Sequence, residues 1–273
     1  MDKMLIAVFE RESQASAAAG AMNNLSEEDL LVVYAFAVIV KDVAKASIVD
    51  FKMEDCNDPV LGVATRSLIK ILGAPYDSVD GSNSRAFTEG MMEVVKAGVD
   101  SNFLDQVARH LFPGRAAIVS EVEEETTNAM DRLLESQGGT AFRCGRSEII
   151  DVQIAKELEA LHNEMRTLEM QVLRTPEGSR EQLERKLDLA RATFQATKDR
   201  ARQHAASIKR EAEAKIALLQ ERTAKAEGGI KTRLERLADE IRVEYVNRAT
   251  KLNLAWQFAG DVFAACFLFF VLN

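Results

Sequence analysis

The stretch "LLVVYAFAVIV" (residues 30–40) decides the fold of the first half of the chain. All eleven residues are apolar, and most are β-branched or aromatic. A short run of this kind, with no polar alternation, is typical of a strand that is buried on both faces. The sequence therefore predicts a central strand here.

The segments around this strand predict its neighbours. "MLIAVFE" (4–10) has the pattern of a second buried strand, and "SQASAAAGAMNNL" (13–25) that of a helix whose small residues allow close packing on a sheet. "KASIVDFK" (45–52) alternates apolar and polar residues, so we expect it to pair with the central strand.

Helix and strand signals continue to residue 144. Asp100 or Ser101 is placed to cap a helix that Pro113 and Gly114 end. A strand, a glycine-terminated helix and a final strand follow at 115–122, 126–139 and 140–144. This order predicts that residues 1–146 form a ferredoxin-like α+β sandwich with a mostly antiparallel sheet.

The pattern of apolar residues along the sequence changes at about Ser147. Apolar residues at alternating spacings of four and three predict a coiled-coil seam, formed by Ile154, Leu158, Leu161, Met165, Leu168 and Val172. "RTPEGSR" interrupts it near 174–179, and the pattern then predicts one helix of roughly 75 residues to about Asn253. Residues 147–253 are thus expected to be coiled-coil helices.

This second helix has an eleven-residue apolar repeat, which favours nearly straight packing. Gly228 and Gly229 are its predicted weak point, at ~1 kcal/mol per glycine relative to alanine. So long a polar helix needs a partner, either another copy or the first helix folded back on it. The residues predicted to mediate self-association are Ile208, Leu219, Ile230, Leu234, Leu237 and Ile241.

Charge divides the chain in the same place. Residues 1–146 hold 14 Lys and Arg against 23 Asp and Glu, a net charge of −9, whereas residues 147–273 hold 21 against 20, a net charge of +1. An acidic domain repels phosphate backbones, so nucleic-acid binding is not expected. The three scattered cysteines and the absence of a signal-peptide pattern favour a cytoplasmic location for the bulk of the chain.

The C-terminal segment 254–273 is a candidate membrane anchor. Residues 254–272 span roughly 29 Å as a helix, close to the ~30 Å of a bilayer core. Asp261 opposes insertion by ~3 kcal/mol, so that the alternative of a helix end buried in an assembly stays open. The predicted anchor residues are Trp256, Phe258, Val262, Phe263, Phe267, Leu268, Phe269 and Phe270.

Catalytic and ligand-binding signatures are weak. "GTAFRCGRS" (139–147) misses the phosphate-binding loop pattern by one residue and lacks its lysine. His110, His162 and His204 have no Cys or His partner at metal-ligand spacing, and His204 has the position of a polar residue beside the helical seam. No cofactor, metal or catalytic residue is predicted.

The N-terminal half resembles a bacterial family of uncharacterised "predicted membrane protein" domains, domain of unknown function twelve sixty-nine. The residues that carry the resemblance are "MLIAVFERESQASAAAGAMNNL", "VVYAFAVIVKD" and "GVDSNFLDQVARHLFPGRAAIVSEVEEETTNAMDRLLESQGGTAFR". Members usually have a long glycine-rich apolar stretch in the middle, whereas 58–75 is short here and carries Arg66 and Lys70. The resemblance implies no catalytic residue.

These observations lead to three hypotheses of function. The first is a non-enzymatic membrane-associated protein, with a cytoplasmic α+β domain on a self-associating helical stalk and a C-terminal anchor in the bilayer. The alternative is an oligomeric structural or scaffold protein whose apolar helix ends pack together. An enzyme with its site in the α+β domain is the third, and no motif supports it.

Overall fold

The computed structural model describes residues 3–42, 46–53, 61–72, 94–95, 98–124, 127–146 and 149–257. The chain divides into two compact units. The first, here called the α+β unit, comprises Met1–Ser147 together with Glu213–Ile241. The second, the helical unit, comprises Glu148–Ala212 together with Arg242–Asn273.

The α+β unit contains a five-stranded sheet in which every neighbouring pair is antiparallel. Its strands are β1 (Lys3–Phe9), β2 (Val32–Lys41), β3 (Ala46–Met53), β4 (Ala116–Glu123) and β5 (Thr140–Gly145). The order across the sheet is β3-β2-β4-β1-β5, so the predicted central strand lies between two neighbours. The predicted antiparallel α+β fold is confirmed.

Among the described residues, four helices cover the two faces of this sheet: α1 (Glu12–Glu27), α2 (Val63–Leu72), α3 (Ser101–Ala108) and α4 (Asn128–Ser136). On one face α1 and α4 pack against Leu5, Phe9 and Phe36, and on the other α2 and α3 pack against Met4, Ile6 and Val119. Because both faces are covered, consecutive residues of β1 from Met4 onward and of β2 up to Val40 are apolar rather than alternating.

The predicted cap of α3 is present. Asp100 Oδ1 accepts a hydrogen bond from the backbone N–H of Asn102, at 2.9 Å. This contact satisfies one of the backbone donors that have no partner inside the helix.

The helical unit contains α5 (Ile149–Arg174), most of α6 (Glu181–Lys225) and the end of α7 (Gly228–Gln257). A short 3-10 turn at Glu177–Ser179 reverses the chain between α5 and α6, where the sequence predicts a break. The predicted seam of α5 packs on α6, with Ile154 and Leu158 against Phe194 and Ala201. The first helix therefore does fold back on the second.

The prediction of one 75-residue helix is wrong. Helix α6 ends at Lys225, and α7 begins at Gly228, whose φ is +58°. A positive φ is accessible to glycine at little cost, so Gly228 allows a turn where other residues would be strained. Leu252 packs in one cluster with Ile208, which shows that α7 runs back along α6 rather than onward from it.

Candidate functional site

Three ionisable side chains meet inside the helical unit, one from each helix. Asp151 of α5 has no exposed surface. Its Oδ1 lies 2.7 Å from His204 Nε2 of α6, and its Oδ2 accepts from Arg248 Nε of α7 at 2.7 Å. Arg248 Nη2 adds a second contact to Oδ1 at 3.3 Å. We call Asp151, His204 and Arg248 the ionic triad.

The local sequence explains why these side chains point inward. Each one occupies a position in the apolar stripe of its helix, within a turn of residues that are themselves packed together. Those neighbours are Ile154 in α5, Ala201 and Ile208 in α6, and Tyr245 and Leu252 in α7. The helices pack through these stripes, so the three polar groups are brought to one place.

The electrostatic balance at Asp151 favours the carboxylate. Burial by itself disfavours the charged form, but the hydrogen bonds from His204 and Arg248 outweigh it and hold the pKa of Asp151 below its ordinary value. A His–carboxylate pair is also the orienting half of a catalytic triad. Here, however, the carboxylate binds Arg248 as well, and the surrounding side chains are apolar. The arrangement is therefore suited to fixing three helices in register.

A second buried ionic cluster lies in the α+β unit, at the end of β4. Glu121 Oε1 is 2.8 Å from Lys215 Nζ and 3.4 Å from Arg146 Nη1. Both Glu121 and Lys215 are nearly fully buried, and Lys215 Nζ lies 4.8 Å from the centre of the Tyr34 ring. This contact, an ion pair with a cation–π interaction, attaches the C-terminal part of α6 to the sheet.

The opposite face of the same sheet end carries another group of charges. Glu124 Oε1 accepts from Arg143 Nε at 2.6 Å and from Lys3 Nζ at 3.4 Å, and Arg143 also contacts Asp131 of α4. Burial lowers the pKa of Arg143, but the two carboxylates outweigh this effect and raise it. Lys41, the last residue of β2, is not part of this group. Burial lowers the pKa of Lys41.

No metal site emerges from the described part of the chain. Among those residues, no group of three or more His, Cys, Asp or Glu side chains is placed to hold an ion. The acidic residues of the two clusters instead contact Lys and Arg.

The predicted membrane-anchored function is contradicted. Within the ranges that the structure describes, none of the helices combines the length and the apolar content that crossing a bilayer requires. Trp256 lies in α7, near its end at Gln257. The other predicted anchor residues lie outside the described residues: Phe258, Val262, Phe263, Phe267, Leu268, Phe269 and Phe270.

The residues predicted to mediate self-association are mostly buried within a single chain. Five of them are less than 9% exposed, namely Ile208, Leu219, Leu234, Leu237 and Ile241. Ile230 is 37% exposed because the reversal at Gly228 interrupts the apolar stripe two residues before it. Packing inside the chain accounts for the stripe, and the role of these residues in self-association stays a prediction.

Sequence reasoning missed Asp151, Arg248, Glu121 and Lys215. The signal for the triad was present, since Asp151 stands seven residues before Leu158 in the same seam. A charged residue at a seam position requires a buried partner of opposite charge. Which partner it finds depends on how three helices align, and the spacing within one helix does not contain that information.

Neither the protein-family models, nor the curated proteins, nor the solved structures include a match to this chain. The resemblance of its N-terminal half to the domain of unknown function therefore stays a prediction.

Proposed function

We propose that this chain is a non-enzymatic structural protein that assembles with copies of itself through the edge strand β3. The observation that carries the proposal is the exposed apolar edge that β3 presents. The assembly would be a homo-oligomer in which the α+β units of two chains pair.

The strand order places β3 at one edge of the sheet, with β2 as its neighbour. Among the described residues no other strand pairs with its outer side. Ile48 is 54% exposed and Val49 is 45% exposed, although they are consecutive residues of a strand. The register with β2 skips at this point, with Val38 opposite Asp50 and Ile39 opposite Ile48.

An exposed, apolar edge strand is a template for pairing with another chain, because its outer backbone groups have no partner strand. Edges that are kept from pairing usually carry charges, proline or a bulge. In β3 the register shift and the charged residues Asp50 and Lys52 all lie from Val49 onward, so the segment proposed to pair is the uncharged Ala46–Ile48. Antiparallel pairing of two β3 strands would join two sheets around a two-fold axis, the commonest symmetry of protein dimers.

The buried ionic groups support a structural rather than a catalytic role. Asp151 is bound by His204 and Arg248, and Glu121 by Lys215 and Arg146, so each carboxylate is held by side chains of the fold itself. Catalytic groups need access to a substrate, and Asp151 and Glu121 are at most 1% exposed.

We further propose that the α+β unit is an elaborated ferredoxin-like fold and that α5 and α6 form a coiled-coil hairpin. Two strand–helix–strand segments, β1-α1-β2 and β4-α4-β5, interleave in the order β2-β4-β1-β5, and β3 extends this arrangement at one edge. The alternating four and three spacing of the α5 seam supports the coiled-coil assignment.

The proposal is tested by placing a charge on the edge strand. In Ile48→Lys, pairing of two β3 strands would bury an ammonium group from each chain and place two like charges near each other. Light scattering coupled to gel filtration should therefore show that the mass falls to that of one chain. Val63→Lys is the matched control, because Val63 is 44% exposed in α2 of the same unit. A wild-type chain that is monomeric at all concentrations, or equal masses for both variants, would refute the proposal.

A further inference from the structure

We propose that α7 exchanges between two copies of this chain. The turn between α6 and α7 straightens into one continuous helix, and α7 of each copy then packs in the same place on the other copy. We call this the exchanged form, and the arrangement within one chain the closed form. The inference goes beyond pairing through β3 and does not depend on it.

The turn that would straighten is short. Two residues, Ala226 and Glu227, separate the end of α6 from the start of α7. The backbone N–H of Ala226 still donates to the carbonyl of Arg222 at 3.0 Å, which is the bond that a continuing α-helix makes. The departure from a straight helix therefore involves a few dihedral angles around Gly228, whose φ is +58°.

The apolar repeat keeps its phase across this turn. Leu219, Ile230 and Ile241 follow one another at a spacing of eleven residues, although the turn lies between the first two. The two helices of a hairpin pack through separate stripes, so the closed form requires no common phase between them. A continuous helix does require it, since a spacing of eleven keeps a stripe on one side of a nearly straight helix. In the closed form Ile230 is 37% exposed, so its position in the repeat is not explained by burial there.

The partners of α7 are equally available on a second copy, because they lie in other segments of the chain. In the helical unit, Arg248 Nε binds Asp151 of α5 at 2.7 Å. In the α+β unit, Arg233 Nη2 donates to the carbonyl of Leu30 at 3.1 Å. Exchange replaces each contact within a chain by the same contact between chains. The balance between the two forms therefore depends on the turn and on the protein concentration.

The residues of the turn act in opposite directions. Ala226 favours a continuous helix, because alanine has the highest helix propensity. Gly228 favours the closed form, since glycine accepts a positive φ and loses more backbone entropy than other residues inside a helix. Gly228 is thus the residue that keeps α7 on its own chain.

Gly228→Ala should shift the chain toward the exchanged dimer. Alanine is disfavoured at the positive φ of the turn and favoured inside a helix, so the association constant should rise about tenfold or more. Gly229→Ala is the matched control, because residue 229 is helical in the closed form as well, and the substitution therefore stabilises both forms. Sedimentation equilibrium of the full chain measures the constant. Each chain carries Ile48→Lys, which removes the proposed pairing through β3.

Cross-linking identifies the exchange itself. In full chains whose three native cysteines are replaced by serine, one chain receives Ala205→Cys in α6 and the other Ala249→Cys in α7. These positions directly follow His204 and Arg248, whose side chains both bind Asp151, so they lie at the same level of the helical unit. With both cysteines in one closed chain, a short bismaleimide should join them, which checks that the linker reaches.

The two single-cysteine chains are then refolded together and cross-linked, and mass spectrometry identifies the joined peptides. When both carry Gly228→Ala, residue 205 of one chain should be joined to residue 249 of the other, since neither chain holds both cysteines. With Gly229→Ala the yield should stay at the level of the unsubstituted turn. A Gly228→Ala chain whose association constant does not rise would overturn the proposal. A dimer in which these two positions are not joined would also overturn it.

Discussion

Asp151 connects three helices through one carboxylate, and its energetics follow from its burial. Desolvating a charge costs several kcal/mol, and this cost is offset only where the partners have good geometry. His204 and Arg248 both lie 2.7 Å from its oxygens. The carboxylate therefore specifies how α5, α6 and α7 align, besides any stability that it contributes.

Removing this carboxylate should be strongly destabilising. Asp151→Ala leaves the largely buried Arg248 without its counter-ion, and we expect the free energy of unfolding to fall by about 3–5 kcal/mol. Urea unfolding followed by circular dichroism measures the loss. Glu169→Ala is the control on the same helix, because the exposed Glu169–Arg191 pair should contribute less than about 1 kcal/mol. Equal losses for the two variants would show that the triad contributes no more to stability than an exposed ion pair.

The pH dependence of stability tests the same group. The hydrogen bonds that outweigh burial lower the pKa of Asp151 in the folded state, so the unfolded chain binds its proton at a higher pH. The contribution of Asp151 is therefore complete above its unfolded pKa of about 4 and is lost as the pH falls through the lower folded pKa. Wild type should lose stability relative to Asp151→Asn as the pH falls below about 4. Parallel curves for the two proteins would contradict this assignment.

At the scale of elements, the reversal between α6 and α7 depends on one glycine. Gly228 has a φ of +58°, which costs other residues about 1 kcal/mol or more. Gly228→Ala should lower the free energy of unfolding by this amount, whereas Gly229→Ala should be neutral or raise it by up to about 1 kcal/mol. Neither position has a neighbouring atom within 4 Å of an added Cβ, so the pair isolates the effect of the backbone. Thermal unfolding of both variants gives the comparison.

The sequence predicts most elements but not this reversal, for a physical reason. The strands are short runs, and consecutive apolar residues indicate that they are buried on both faces, as in β1 and β2. The apolar repeat, by contrast, passes through Leu219, Ile230 and Ile241 at an unchanged spacing of eleven. A continuous helix and a hairpin of two helices both need an apolar stripe, so periodicity alone does not distinguish them. The local signal for the reversal was Gly228, which the sequence analysis interpreted only as a weak point of one continuous helix.

At the scale of the whole molecule, the α+β unit is not continuous in sequence. Composition and charge change near residue 147, yet the unit includes Glu213–Ile241 as well. The contacts that attach that segment within the unit include Lys215 to Glu121, Arg222 to Asp29, and Arg233 to the carbonyl of Leu30. Their partners are about a hundred to two hundred residues apart along the chain. Pairing at that separation depends on the folded arrangement, and neither charge balance nor spacing indicates it.

This discontinuity predicts that residues 1–147 do not reach full stability alone. Without Lys215, Glu121 keeps Arg146 as its cation at 3.4 Å but loses the closer ion pair at 2.8 Å. A buried carboxylate that loses its main partner costs about 3–5 kcal/mol, so the fragment should unfold about 10 °C below the same sheet in the full chain. Near-ultraviolet circular dichroism, to which the buried Tyr34 contributes, measures the unfolding temperature of the fragment and of the full chain. Glu121→Gln should reduce the difference in unfolding temperature between the fragment and the full chain, because a neutral amide needs no cation. A fragment as stable as the full chain would show instead that residues 213–241 contribute nothing to the folding of this unit.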